Sequence, residues 1–152
     1  MERQLQNPLK HLKPGIKEVL DILKTMNNRY ALGLLTGNIE HGARMKLEPF
    51  DLNHYFAFGA FGSDDENRNK LLPIAVNRFE LISGRPLQYK DCIVIGDTPR
   101  DSQCAKPYGA LSIGVATGPY RSQSLIQAGA DMVFETLVDT ESFLQELESI
   151  SL

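Results

Sequence analysis

The sequence predicts an α/β fold, a parallel sheet with helices on both faces, from three observations. Short apolar segments alternate with stretches whose apolar residues recur at helical spacing, from Ile16 to Ile150, and such alternation implies parallel strands joined by right-handed crossovers. Ile93-Val94-Ile95 is β-branched throughout and continuous rather than alternating, as expected of a strand covered on both faces. Three apolar segments run into polar corners, and in a doubly wound sheet the carboxyl ends of the strands share one edge, where ligands bind.

Residues 1–13 carry leucines at 5, 9 and 12 but little else apolar, and read as a ragged arm or the remnant of a helix from a missing segment. Pro14 opens a helix in which Ile16, Val19, Leu20 and Leu23 share a face, ending near Asn27-Asn28. An apolar strand from Tyr30 to Leu35 reaches the corner Thr36-Gly37-Asn38 before a second helix to about Leu47. Leu52, Tyr55, Phe56, Phe58 and Phe61 read as core, with a strand over Phe56 to Ala60. The loop from Gly62 to Asn67 is too polar to bury. A helix starts at Arg68-Asn69-Lys70, buries Leu71, Leu72, Ala75, Val76 and Phe79, and closes at Gly84-Arg85-Pro86. After the Ile93–Ile95 strand come a helix over Asp101 to Tyr108, a strand over Leu111 to Val115 and a loop from Thr117 to Tyr120. A short helix from Ser122 to Ala128, a short strand from Met132 to Phe134 and a helix from Thr140 to Ile150 complete the chain.

The 152 residues, 42% hydrophobic and 23% charged, suit one soluble globular domain. A net charge of -3 with no run of lysine or arginine argues against a nucleic-acid surface. Cys92 and Cys104 stand in no metal-like spacing and read as reduced core thiols. No apolar run is long enough to cross a membrane, and residues 1–13 hold no signal-peptide core, so a cytoplasmic location and no membrane partner are expected.

Gly96-Asp97-Thr98-Pro99-Arg100-Asp101 delivers two carboxylates four residues apart behind the β-branched strand. Magnesium prefers oxygen ligands and is usually held by one or two carboxylates plus phosphate oxygens, so this corner points to phosphoryl chemistry. Taken singly, Asp97 could merely end a strand, Asp101 or Thr36 cap a helix, and Arg68 or Lys70 be solvated loop cations. Brought to one sheet edge, the three corners become complementary: a hydroxyl and backbone N–H groups for phosphate oxygens, a cation to neutralise them, carboxylates for the metal.

Leu34-Leu35-Thr36-Gly37-Asn38, the Arg68/Lys70 region and Ile93 to Asp101 resemble, in order and spacing, motifs two, three and four of the haloacid dehalogenase-like (HAD) hydrolases, in the branch similar to phosphoglycolate phosphatases. Pro14-Gly15 resembles the point where the chain returns from cap to core, which makes 14–152 the core domain. The resemblance implies a Rossmann-like fold and a magnesium-dependent phosphomonoester phosphatase acting on a small phosphorylated molecule. Thr36, Gly37, Asn38 and Arg68 would bind the phosphoryl group, Asp97 would ligate magnesium, and Asp101 would support the metal shell or orient the cation. Either Arg68 or Lys70 could be the cation of motif three; Arg68, nearer the loop, is favoured.

Members of that family open with a strand ending in Asp-x-Asp, whose first aspartate attacks phosphorus, and no Asp-x-Asp occurs in these 152 residues. The resemblance therefore implies a truncated form, inactive alone, that lacks the central first strand and most of the cap. The alternative is a catalytically inactive phosphate- or metal-binding or interaction domain derived from the fold; a flavodoxin-like domain is weaker, since no G-x-G-x-x-G is present. Loss of that strand would leave Tyr30 to Leu35 and Cys92 to Ile95 as uncharged apolar edges. Such edges could close on each other, accept a strand from another chain or aggregate, and self-association is expected.

Overall fold

In the computed structural model residues 14–27 and 29–151 are described, so the expected arm at 1–13 lies outside the described residues. Helix α1 (Ile16–Thr25) buries Val19 and Leu23, one turn apart, and turns its charged residues outward. Strand β1 (Gly33–Thr36) pairs in parallel with β2 (Phe58–Phe61), Gly33 opposite Phe58 and Thr36 opposite Phe61. Helix α2 (Glu40–Leu47) and two single 3₁₀ turns make the crossover. The first strand starts three residues later than its apolar pattern, at Gly33 rather than Tyr30, because β2 offers it no partner before Phe58.

Helix α3 (Leu71–Ser83) ends at Gly84, whose φ of 71° lets its N–H return to the Glu80 carbonyl at 2.9 Å. Strand β3 (Ile93–Gly96), helix α4 (Pro99–Ala105), strand β4 (Leu111–Val115), helix α5 (Ser122–Gln127), strand β5 (Met132–Phe134) and helix α6 (Thr140–Ser151) follow. Helix α4 is shifted from the expected 101–108. Pro99 takes its first position, where a missing N–H costs nothing, and the turn tightens to 3₁₀ at Lys106–Tyr108, where Pro107 cannot donate.

Strands β3, β4 and β5 form a parallel sheet in that order, Ile93 opposite Leu111 and Ile113 opposite Met132. The sheet is therefore split: β1–β2 and β3–β4–β5 are separate, and β1 is not hydrogen-bonded to β3. Helices cover both faces. Leu23 of α1 with Phe143 and Leu147 of α6 packs against Ile113 and Val115 on one side; Leu72 and Val76 of α3 with Cys104 and Ala105 of α4 packs against Val94 on the other. Each such buried large side chain contributes about 1.5–3 kcal/mol. Helix α3 also places Leu71 and Ala75 against Ala60 of β2, so one helix holds both sheets. Between β1 and β3 lies a cavity of about 380 Å³. Tyr55 and Phe61 are core, as their sequence pattern indicated. No helix among the described residues is long and apolar enough to cross a membrane.

Candidate functional site

At the start of α4, Thr98 is extended and its N–H and hydroxyl both donate to Asp101 Oδ2, at 3.1 and 3.0 Å. This is the reciprocal cap that a Thr-x-x-acid spacing can make. The carboxylate folds back over the end of β3, and Gly96 is what leaves room: a β-carbon there would stand 2.0 Å from Asp101 Oδ2. The other oxygen, Oδ1, accepts from Arg68 Nη2 at 2.5 Å, a short charge-assisted bond between side chains only 21% and 15% exposed. Both oxygens of Asp101 are thus engaged.

Arg68 lies in a 3₁₀ turn, Arg68–Lys70, just before α3. The Asn67 side chain caps the turn by accepting from the Asn69 N–H at 3.0 Å, and the Tyr108 hydroxyl donates to the Asn69 carbonyl. From this fixed base the Arg68 side chain passes over Gly37, its Cδ 3.6 Å from where a β-carbon on Gly37 would be. Its Nε is buried with no hydrogen-bond partner among the described residues, and an unsatisfied buried donor costs about 1–3 kcal/mol. Lys70 is exposed and has no ion pair among the described residues.

The Thr36 hydroxyl accepts from the Asn38 N–H at 3.2 Å, which leaves its own hydrogen to donate. The Asn38 carbonyl accepts from the Gly62 N–H at 2.7 Å, tying this corner to the end of β2. Gly37 and Asn38 are exposed. Asp97 is half-buried and makes no hydrogen bond or ion pair among the described residues. It lies against the loop after β4, where a β-carbon on Gly118 would be 2.7 Å from Asp97 Oδ2.

Arg68 therefore bridges the two halves of the molecule, joining the Thr36–Asn38 corner of one sheet to the Asp97–Asp101 corner of the other. The sequence reading missed Thr98, Gly118, Asn67 and Tyr108. The Thr98-Pro-Arg-Asp101 spacing is a local signal for a cap. Tyr108 had none, because its partner is 39 residues away. Burial pushes the Cys92 thiol up to about 11 and raises Cys104 as well, so both stay protonated at neutral pH.

Arg68 stands at this edge as a cation paired with Asp101, and Asp97 is a carboxylate without an ion pair among the described residues. Among the described residues no cluster of three or more histidine, cysteine or acidic side chains could hold a metal by itself. The donor set suits part of a magnesium sphere, one carboxylate with the rest supplied by water and phosphate oxygens.

Known proteins share this frame. A phosphoglycolate phosphatase of Vibrio vulnificus is 27% identical over 135 residues, which are 89% of this chain and 57% of that protein. A hydrolase from Pseudomonas syringae superposes with a TM-score of 0.71 at 26% identity, covering 88% of this chain and 61% of the other. A predicted phosphatase from Clostridium acetobutylicum shares the fold at 24% identity with a TM-score of 0.74, over 87% and 59% of the two chains. The chain spans somewhat over half the length of each. The model of the haloacid dehalogenase-like hydrolases matches residues 1–115, and with the three corners in order along a parallel, helix-covered framework, this chain belongs to that family.

Proposed function

We propose that the chain is the phosphate- and metal-handling portion of a magnesium-dependent phosphomonoester phosphatase. The observation that carries this reading is the Arg68 bridge: a guanidinium held by Asp101 over Gly37, its Nε buried and without a partner among the described residues, at the same edge as Asp97, a carboxylate that no described residue neutralises. A phosphoryl oxygen would satisfy the Arg68 donor, and the Thr36 hydroxyl with the Gly37 and Asn38 backbone would hold the other oxygens. Asp97 would carry the magnesium ion, which when bound draws negative charge off the phosphoryl group. Asp101, with both oxygens committed, positions Arg68 rather than taking the metal. Lys70, solvated in the same turn, adds positive potential at the mouth.

Splitting a phosphate ester by the covalent route needs a nucleophile in line with the leaving oxygen, and no carboxylate in this edge is placed for that role: Asp101 is spent on Thr98 and Arg68, and Asp97 is assigned to the metal. The absence of Asp-x-Asp in the sequence favours binding without turnover by these residues alone. The substrate class is a small phosphorylated molecule.

Calorimetry with magnesium and inorganic phosphate tests the assignment. The wild-type chain should give weak saturable heats that Asp97→Asn abolishes. Arg68→Ala should weaken phosphate binding about tenfold or more, a loss of about 1.4 kcal/mol or more, and Lys70→Ala by less. Identical heats in wild type and Asp97→Asn, or a larger loss from Lys70→Ala than from Arg68→Ala, would overturn it.

A further inference from the structure

Asp97 stands on a backbone that is fixed on both sides. Gly96 before it is the last residue of β3, paired opposite Gly114 of β4, and Thr98 after it is tied to Asp101 by the two bonds of the helix cap. The carboxylate therefore changes place only by turning about its own side-chain bonds. Because β3 and β4 are neighbours, the loops that leave them run side by side, and the wall against Asp97 is Gly118. That wall is also fixed. The Ala116 N–H donates to the Phe134 carbonyl at 2.8 Å and the Ser122 hydroxyl donates to Glu135, while Pro119 between them holds its φ at about −65°.

The atoms nearest to a β-carbon on Gly118 would be Oδ2, Cγ and Cβ of Asp97, at 2.7, 3.2 and 3.4 Å. The first lies well inside van der Waals contact. Nor does the backbone ask for glycine here: among the described glycines positive φ falls at Gly15, Gly84, Gly109 and Gly129, not at Gly118, so alanine would meet no backbone strain. What the missing side chain spares is the Asp97 carboxylate.

We propose that Gly118 is the positioning residue of Asp97: by presenting bare backbone to the carboxylate, it permits the one placement in which that group takes no hydrogen bond from the described residues and keeps its oxygens for a magnesium ion. Gly96 does the same for Asp101 with the opposite result, since the carboxylate it clears is spent on Thr98 and Arg68. Magnesium demands near-ideal geometry, so a carboxylate turned aside by a methyl group is a poor ligand even in an intact fold. The metal role given to Asp97 rests on the phosphatase reading, whereas its contact with Gly118 holds whatever the corner binds.

The test compares the full chain with Gly118→Ala, each with and without Asp97→Ala, by thermal melting, by NMR of the carboxyl carbons without metal, and by calorimetry with magnesium alone and with inorganic phosphate alone. Gly118→Ala should shift the Asp97 carboxyl resonance and leave that of Asp101 in place. It should weaken magnesium binding about tenfold or more, the size of loss that follows when a ligand loses its orienting neighbour, with phosphate binding unchanged. Any fall in melting temperature that it causes should vanish in the Asp97→Ala background, where the atoms in the way are gone. An unmoved Asp97 resonance, equal magnesium heats in the wild type and Gly118→Ala, an equal weakening of phosphate, or a stability loss that persists without the Asp97 carboxylate would overturn the proposal. Wild-type magnesium heats that survive Asp97→Ala would instead sink the phosphatase reading, and the carboxyl resonance then decides the positioning role by itself. If Gly118→Ala does not fold, the double variant decides: cooperative melting regained supports the contact, and continued failure to fold overturns it.

Discussion

Single residues in this molecule are held by polar contacts whose protonation can be followed. The Tyr55 hydroxyl donates to Asp21 while its ring is buried, and first that bond, then burial, pushes the phenol up to about 12. A phenol raised in this way keeps in the folded state a proton that the unfolded chain loses near 10. Its contribution is therefore complete below about pH 10 and disappears as pH rises toward 12. Tyr55→Phe should cost about 1 kcal/mol at neutral pH, with the gap to wild type narrowing between pH 10 and 12 in urea denaturation. A gap that stays constant over that range would show that the hydroxyl does not carry it. Cys92, raised by burial to about 11, adds its own alkaline loss beginning lower, near 9, in both proteins alike.

At the scale of elements, the start of α4 is a mechanical part. Pro99 sets the first turn, Thr98 caps it, Asp101 returns the cap, and the same carboxylate fixes Arg68. Gly96→Ala drives a methyl into that carboxylate and should cost about 2–3 kcal/mol, the sum of a lost cap and a broken ion pair. Because Gly96→Ala and Asp101→Asn break one network, the double variant should cost clearly less than the two singles added together. Additive losses in denaturant melts would separate the glycine from the cap. Two further tethers keep α3 and β2 in place around this turn: Asp64 accepts from both terminal nitrogens of Arg78 at 2.7 and 2.8 Å, and Arg78 also donates to the Gly59 carbonyl at 2.8 Å. That guanidinium holds the Asp64 carboxyl below its usual range.

At the scale of the whole molecule, the proposed function assigns phosphate and metal handling, and no attacking group, to the edge where the two sheets meet. On that proposal the full chain with magnesium should give no meaningful turnover of p-nitrophenyl phosphate, only the residual catalysis that electrostatic groups leave without a nucleophile. A substantial rate that disappears in Asp97→Asn would mean that a residue of this chain attacks phosphorus. The split sheet also separates two kinds of stability. α1, α6 and the β3–β4–β5 sheet share one core, whereas β1–β2 is attached mainly through α3.

The order and type of the elements were legible in the sequence, because hydrophobic period and punctuation by proline and glycine are local: the helix opened by Pro14, the strand Ile93 to Ile95 and the helix closed by Gly84 stand where their patterns place them. The polar corners after the strands were legible for the same reason. Boundaries that depend on a partner were not. Tyr30 to Leu32 carry the apolar pattern of a strand, yet β1 begins at Gly33, where β2 begins to pair with it. Nor was it legible that Asp101 spends both oxygens on Thr98 and Arg68, or that Tyr108 anchors the turn bearing Arg68 and Lys70. By itself the sequence determined which groups stand at each strand end, since local pattern sets where strands stop. Only the tertiary structure decided which of those groups meet and that the sheet is split, because hydrogen-bonded edges and ion pairs between residues some thirty positions apart depend on how the helices stack the strands.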